Sequence, residues 1–262
     1  AAERGGDGDG GGPDTDLLMS RGRALETLGE FVGAEADFNA VLARARSSGE
    51  RRLEWRALHA LGMLWAAWDQ DRAGDYRREA LALGREIGEA GLIAHSLNRV
   101  GNWHSNVERT VPALRHHAEA LALFERLGDA RGVAETVDLI AMTHHLAGDG
   151  LVTTEFYERA IDLFTELGDR RGLAQALALV VHCGPSFQYS ATTFGASPLI
   201  AELLESERPV RLAQEIGWRA GGAFCRFLLA DAFGWRGVYD RALRLGQSAL
   251  AIAEGSDNVQ WQ

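Results

Sequence analysis

The hexapeptide LGDARG at Leu127–Gly132 returns as LGDRRG at Leu167–Gly172, forty residues later, and a looser copy, IGEAGL, stands forty residues earlier at Ile87–Leu92. The glycine of this turn can be followed through Gly49, Gly88, Gly128, Gly168, Gly217 and Gly255, in steps of 39, 40, 40, 49 and 38 residues. Self-similarity at such a period restricts a chain to repeat architectures, in which each unit hides its apolar side only against its neighbours. The one long step marks an insertion.

The likeness extends beyond the turn. Ala120, Leu123, Phe124 and Leu127 fall at i, i+3, i+4 and i+7, and Ala160, Leu163, Phe164 and Leu167 repeat them. That spacing draws one apolar stripe along a helix. The glycine after each stripe suits the left-handed residue that ends a helix. The Asp after it can cap the next helix or sit near its positive end. No run alternates with the period of a strand. The pattern predicts an all-α solenoid of about six antiparallel helix pairs: 15–28 with 32–47, 51–69 with 72–88, 91–106 with 110–127, 131–147 with 151–167, 171–184 with 197–216, and 218–235 with 238–254. Residues 1–14, mostly Gly and acidic, read as a flexible linker. Residues 257–262 read as the start of a seventh pair, so the array over 15–262 is expected to be a piece of something longer.

Composition removes several functions. Net charge is -10, and all 27 basic residues are Arg. An acidic surface argues against direct nucleic-acid contact or an anionic membrane. Without Lys there is no standard P-loop and no Schiff-base chemistry. Two cysteines, Cys183 and Cys225, make no disulfide framework and fit a reducing, cytoplasmic setting. There is no apolar run of spanning length and no signal-peptide core. No cofactor motif is present.

A forty-residue unit also suits HEAT or armadillo repeats, and the internal spacing decides. Small residues recur in the first helix and then 12 and 19 residues on: Gly22, Ala34 and Val41; Gly101, Ala113 and Ala120; Ala141, Thr153 and Ala160; Ala230, Ala242 and Ala249. Small side chains are needed where two helices cross closely. A ring follows three residues after the first small position, at Trp65, His104, His144 and Phe233. This pattern resembles the tetratricopeptide repeat superfamily over about residues 15–262. The repeated LGDxRG turn looks like the sensor arrays of bacterial signalling proteins, including LuxR-type regulators related to the maltose regulator and other STAND ATPases. The second unit departs by one residue, Leu61 taking the place of Gly62. The fifth departs further, with Val181 and Pro209 where small residues belong, and a break is expected near Ser206–Pro209.

The resemblance implies a right-handed superhelix whose first helices line a concave groove, through side chains three before and one after the small position. Mapped here, these are Asn98 and Asn102, Asp138 and Met142, and Ala178 and His182. One turn further out lie His95, Ser105, Glu135, His145 and Gln175. Amide pairs suit an extended peptide backbone, since each offers a donor and an acceptor. Asp138 argues against carboxylate capture and favours a ligand with hydroxyls, amides or a positive group. Phe187, Tyr189 and Phe194, in the 185–197 insertion, could form a lid. The eight His are read as packing or groove-edge groups, since a zinc site needs converging ligands. Asp138 with His145 or His182 could in principle move protons, but no nucleophile accompanies them. The expected function is non-catalytic sensing of a protein or peptide partner, or of a small-molecule inducer, within a larger regulator. The competing reading is a general protein-interaction scaffold.

Overall fold

The computed structural model describes residues 14–183 and 198–254, and among them all regular structure is helical. Six helix pairs follow one another. They are α1 (Thr15–Leu28) with α2 (Phe31–Ser48), α3 (Arg51–Leu64) with α4 (Gln70–Ile87), and α5 (Ala90–Asn106) with α6 (Thr110–Leu127). Then come α7 (Ala130–Leu146) with α8 (Gly150–Glu166), α9 (Arg170–Cys183) with α10 (Pro198–Ser206) and α11 (Arg208–Glu215), and α12 (Arg219–Trp235) with α13 (Tyr239–Glu254). The chain is an all-α solenoid, each pair packing on the next. The 185–197 insertion with its lid candidates Phe187, Tyr189 and Phe194, the stretch 1–13 and the tail from 255 lie outside the described residues.

The two glycines and the Asp of the LGDxRG turn each have a physical reason. Gly128 ends α6 at φ 67 and Gly168 ends α8 at φ 65, a left-handed backbone that favours glycine. The next amides, Asp129 and Asp169, donate back to the carbonyls of Phe124 and Phe164, both at 3.0 Å. Asp129 Oδ1 then accepts from the Gly132 amide at 2.9 Å, and Asp169 Oδ1 from Gly172 at 3.0 Å, capping α7 and α9. The second glycine answers to space. A Cβ on Gly132 would lie 2.2 Å from the Phe124 ring, and one on Gly172 would lie 2.5 Å from Phe164.

The small-residue frame is equally physical. Ala34, Val41, Ala113, Ala120, Ala141, Thr153 and Ala160 are fully buried, whereas Ala230 and Ala242 of the last pair are only partly covered. A Cβ on Gly22 would meet Phe38 at 2.5 Å, and one on Gly101 would meet His117 at 2.6 Å. The rings expected to fill gaps do so. His104 stacks on His116 and His144 on Phe156, at 5.4 and 5.7 Å. The shortened second unit ends α3 in a 3-10 turn at Trp65–Ala67. The break in the fifth unit falls at Glu207, with φ 46, and Pro209 sits in the first turn of α11, where its missing N–H costs nothing.

One expectation needs correction. Leu127 and Leu167, at the ends of their stripes, are 50% and 40% exposed. On the second helix α4, by contrast, the charged Arg77 is only 3% exposed.

Candidate functional site

The first helices of successive pairs are stitched together by polar contacts at about one-repeat spacing. Trp55 Nε1 donates to Ser96 Oγ at 2.8 Å, Asn98 Nδ2 donates to Thr136 Oγ1 at 2.8 Å, and Ser105 and Thr143 share a hydroxyl bond of 2.7 Å. Gln175 Nε2 donates to Asp138 Oδ2 at 3.1 Å. This ladder fixes the register of the helices that face the concave side.

Those helices enclose a cleft of about 510 Å³, bounded by Met63 of α3, Arg99 of α5, Glu135, Asp138 and Leu139 of α7, and Gln175 of α9. A smaller cleft of about 270 Å³ continues it towards α1, sharing Met63 and lined by Arg23, Trp55 and His59. Side chains from the second, third, fourth and fifth units thus converge on one cleft.

The two ends of this trough differ in charge. Around His59, burial and the positive charges of Arg99, His95 and Arg77 push its pKa down to about 3. Arg77, beneath Gly62, is lowered to about 10 by burial and by Arg99, and its Nε and Nη1 have no partner. At the other end, burial raises the Asp138 carboxyl to about 7 against the pull of its Gln175 hydrogen bond, with the Glu135 charge adding to the rise. Asp138 Oδ1 is buried with no hydrogen-bond partner among the described residues.

The predicted groove residues sort into three groups. Asp138 and Gln175 line the main cleft together. Asn98 does not offer its amide to a ligand: it is 5% exposed and held between Thr136 and the His117 ring, whose Nδ1 lies 3.2 Å away. Ser105 and Ala178 are likewise buried. Asn102, Met142, His95, His145 and His182 keep partial exposure. His95 meets the Phe124 ring edge-on at 5.0 Å, and burial lowers its pKa.

Further along, His145 and His182 meet edge to face at 5.4 Å, and burial with the His182 charge lowers the His145 pKa. His182 Nδ1 lies 3.0 Å from Asp231 Oδ2, in ion-pair range but out of line for a hydrogen bond. Asp231 also accepts from Trp235 Nε1. Asp138 is bonded to Gln175 and to neither imidazole. Among the described residues no three His, Cys, Asp or Glu side chains converge on a metal position.

Arg99 and Met63, which line the cleft, and Arg77, buried behind it, were missed by the groove rule. The available signal was substitution against the repeat: Arg99 stands where Leu139 and Leu179 stand in the next two units, and Arg77 where Phe38, His117 and Tyr157 stand.

No family model matches the chain. No curated protein matches it either. Solved structures do. A Rap protein complexed with competence and sporulation factor superposes with a TM-score of 0.72 at 15% identity, over 92% of this chain and 64% of the Rap chain. The apo form of RapI gives 0.71 at 14% identity, over 92% of this chain and 83% of RapI. A STAND protein with a tetratricopeptide repeat sensor, from Pyrococcus horikoshii, gives 0.63 at 13% identity, over 94% of this chain and 38% of that one. The fold is tetratricopeptide-like. This tetratricopeptide-like array therefore spans less than two thirds of the Rap chain in the first of these structures. No described helix is long and apolar enough to cross a membrane.

Proposed function

We propose that this array is the sensing part of a larger bacterial signalling or transcription regulator, working in the cytoplasm and without catalysis, and that it holds a peptide, a protein segment or a small inducer in its concave trough. The observation that carries the reading is the 510 Å³ cleft built by four successive units. A ligand there touches helices of four successive units at once, so its binding bears on how those units pack against one another. The Rap protein solved with competence and sporulation factor and the STAND protein with a repeat sensor support the same assignment through shared fold. Asn102, Asp138, Met142, His145, His182, His95 and Gln175 are the proposed contact residues, with Phe187, Tyr189 and Phe194 a proposed lid.

The test is a thermal-shift screen of short peptides and metabolites. A ligand that binds only the native state stabilises it by about 2.7 kcal/mol at a hundredfold excess over Kd. The expected hit is saturable and is lost in Leu139→Arg, in the cleft lining, but kept in Arg115→Ala, on the second helix α6. Capture of a protein partner with no stabilising peptide or metabolite would instead establish a general interaction scaffold, and hits indifferent to Leu139→Arg would place binding elsewhere.

A further inference from the structure

Asp138 is the most unusual polar group of the trough. It is 7% exposed, it belongs to the cleft lining, and one of its two oxygens has no partner. A buried carboxylate oxygen without a donor is costly, and native structures leave few such groups without a ligand or a water to satisfy them. The charged groups around it come from several elements. Arg99 lines the cleft from α5, Glu135 from α7 itself, Asp169 from the turn before α9, and Arg171 from α9. Glu135 and Asp169 both pair with Arg131, and the Arg171 guanidinium lies over the Trp218 ring at 4.6 Å. α8 contributes Phe164, and Met63 comes from α3. The charge that acts on Asp138 is the negative one of Glu135. Among the described residues no cation pairs with the carboxyl.

We propose that Asp138 is the anchor of a subsite for an ammonium group, supplied by a lysine side chain of a bound peptide or by a free alkylamine. This rests on the trough being the binding surface. An ammonium brings three donors and a positive charge to an oxygen that has neither. Arg99 makes no ion pair among the described residues, so its guanidinium is available to a carbonyl of the same ligand. Docking the cation ionises Asp138 and releases its proton to solvent, while the ligand stays charged because an alkylammonium titrates near about 10.4.

Three probes test this by calorimetry and by the NMR signal of the Gln175 side-chain amide: acetyl-Gly-Lys-Gly-amide, its norleucine counterpart, and cadaverine. The lysine peptide should bind, shift the Gln175 signal and release about half a proton at pH 7. Its affinity should rise about tenfold between pH 6 and pH 8. Asp138→Asn, which keeps the side-chain volume, should abolish that binding, and Glu135→Gln should weaken it. Cadaverine binding as well as the peptide would assign the free amine as the ligand class, and cadaverine failing would assign the peptide. If the norleucine peptide binds equally, or Asp138→Asn with an unchanged fold binds the lysine peptide as before, the ammonium subsite is wrong, while the trough stands. If no probe binds, the subsite is also wrong, and the wider screen decides the trough separately.

Discussion

Replacing Asp138 by Asn should reshape the pH dependence of stability. Asp138 titrates at about 7 in the folded chain, against an ordinary value of 3.8. A raised carboxyl means that the folded state holds a proton that the unfolded chain has already lost. The stability this gives is complete below about pH 4 and is lost as pH rises through 7. Each unit of displacement corresponds to about 1.36 kcal/mol, so the full displacement sets a ceiling of about 4 kcal/mol between pH 4 and pH 8. Asn cannot ionise and does not suffer this loss. It also exchanges the unpartnered oxygen for an unpartnered N–H, at a pH-independent cost of about 1–3 kcal/mol. Urea midpoints of both proteins, measured from pH 5 to pH 8, should therefore converge or cross as pH rises, the difference changing by about 2–3 kcal/mol. The buried His59 and His117, lowered to about 3 and about 4, act in the opposite sense, but they are present in both proteins and cancel in the difference. Parallel curves would refute a carboxyl held neutral by burial.

Gly132→Ala should destabilise by about 1–3 kcal/mol, because the new methyl enters the Phe124 ring; a change below 0.5 kcal/mol in thermal or urea unfolding would show that the ring moves aside at little cost. Glu108, at φ 59, occupies the register position of Gly148, at φ 80, so Glu108→Gly should be neutral to stabilising by about 1 kcal/mol in the same assay, since a non-glycine residue carries a left-handed penalty of about 1–2 kcal/mol. Asn98→Ala should cost about 1–3 kcal/mol by leaving Thr136 and His117 without their amide, whereas Asn102→Ala should stay within about 0.5 kcal/mol; equal effects would remove the distinction between packing and trough.

The architecture was legible because it is written several times over. The left-handed glycine, the capping Asp and the Phe that excludes a second Cβ recur together at Leu127–Gly132 and Leu167–Gly172, and local rules suffice to read them. The trough was legible only by rule of position. That rule chose Asp138 and Gln175, which line one cleft, and equally Asn98, whose amide lies between Thr136 and His117. The difference depends on what the second helix places underneath, and spacing along the first helix does not contain that. Where α6 supplies His117, the residue above it is consumed in a hydrogen bond. Where α8 supplies Tyr157, its hydroxyl lies 4.0 Å from the Met142 sulfur.

The same register position thus carries Phe38, Arg77, His117 and Tyr157 in four successive units, each below a small residue of the first helix. A repeat fold requires only that this side chain fill the volume, so the position is free to vary in polarity, provided its polar end finds a partner or the concave space. Phe38 needs no partner, and the His117 ring has Asn98 beside one nitrogen, but Arg77 keeps two nitrogens unpartnered beside His59 and Arg99. One unit supplies an oily floor, another an imidazole bonded at one nitrogen only, and another a guanidinium with no ion pair among the described residues. Specificity in such an array arises where a unit departs from the packing minimum, and Arg99 and Asp138 are departures that line one cleft, with Arg77 buried behind it. The proposed ligand therefore meets a guanidinium and a buried carboxyl side by side, and its donor and acceptor must be spaced to match them.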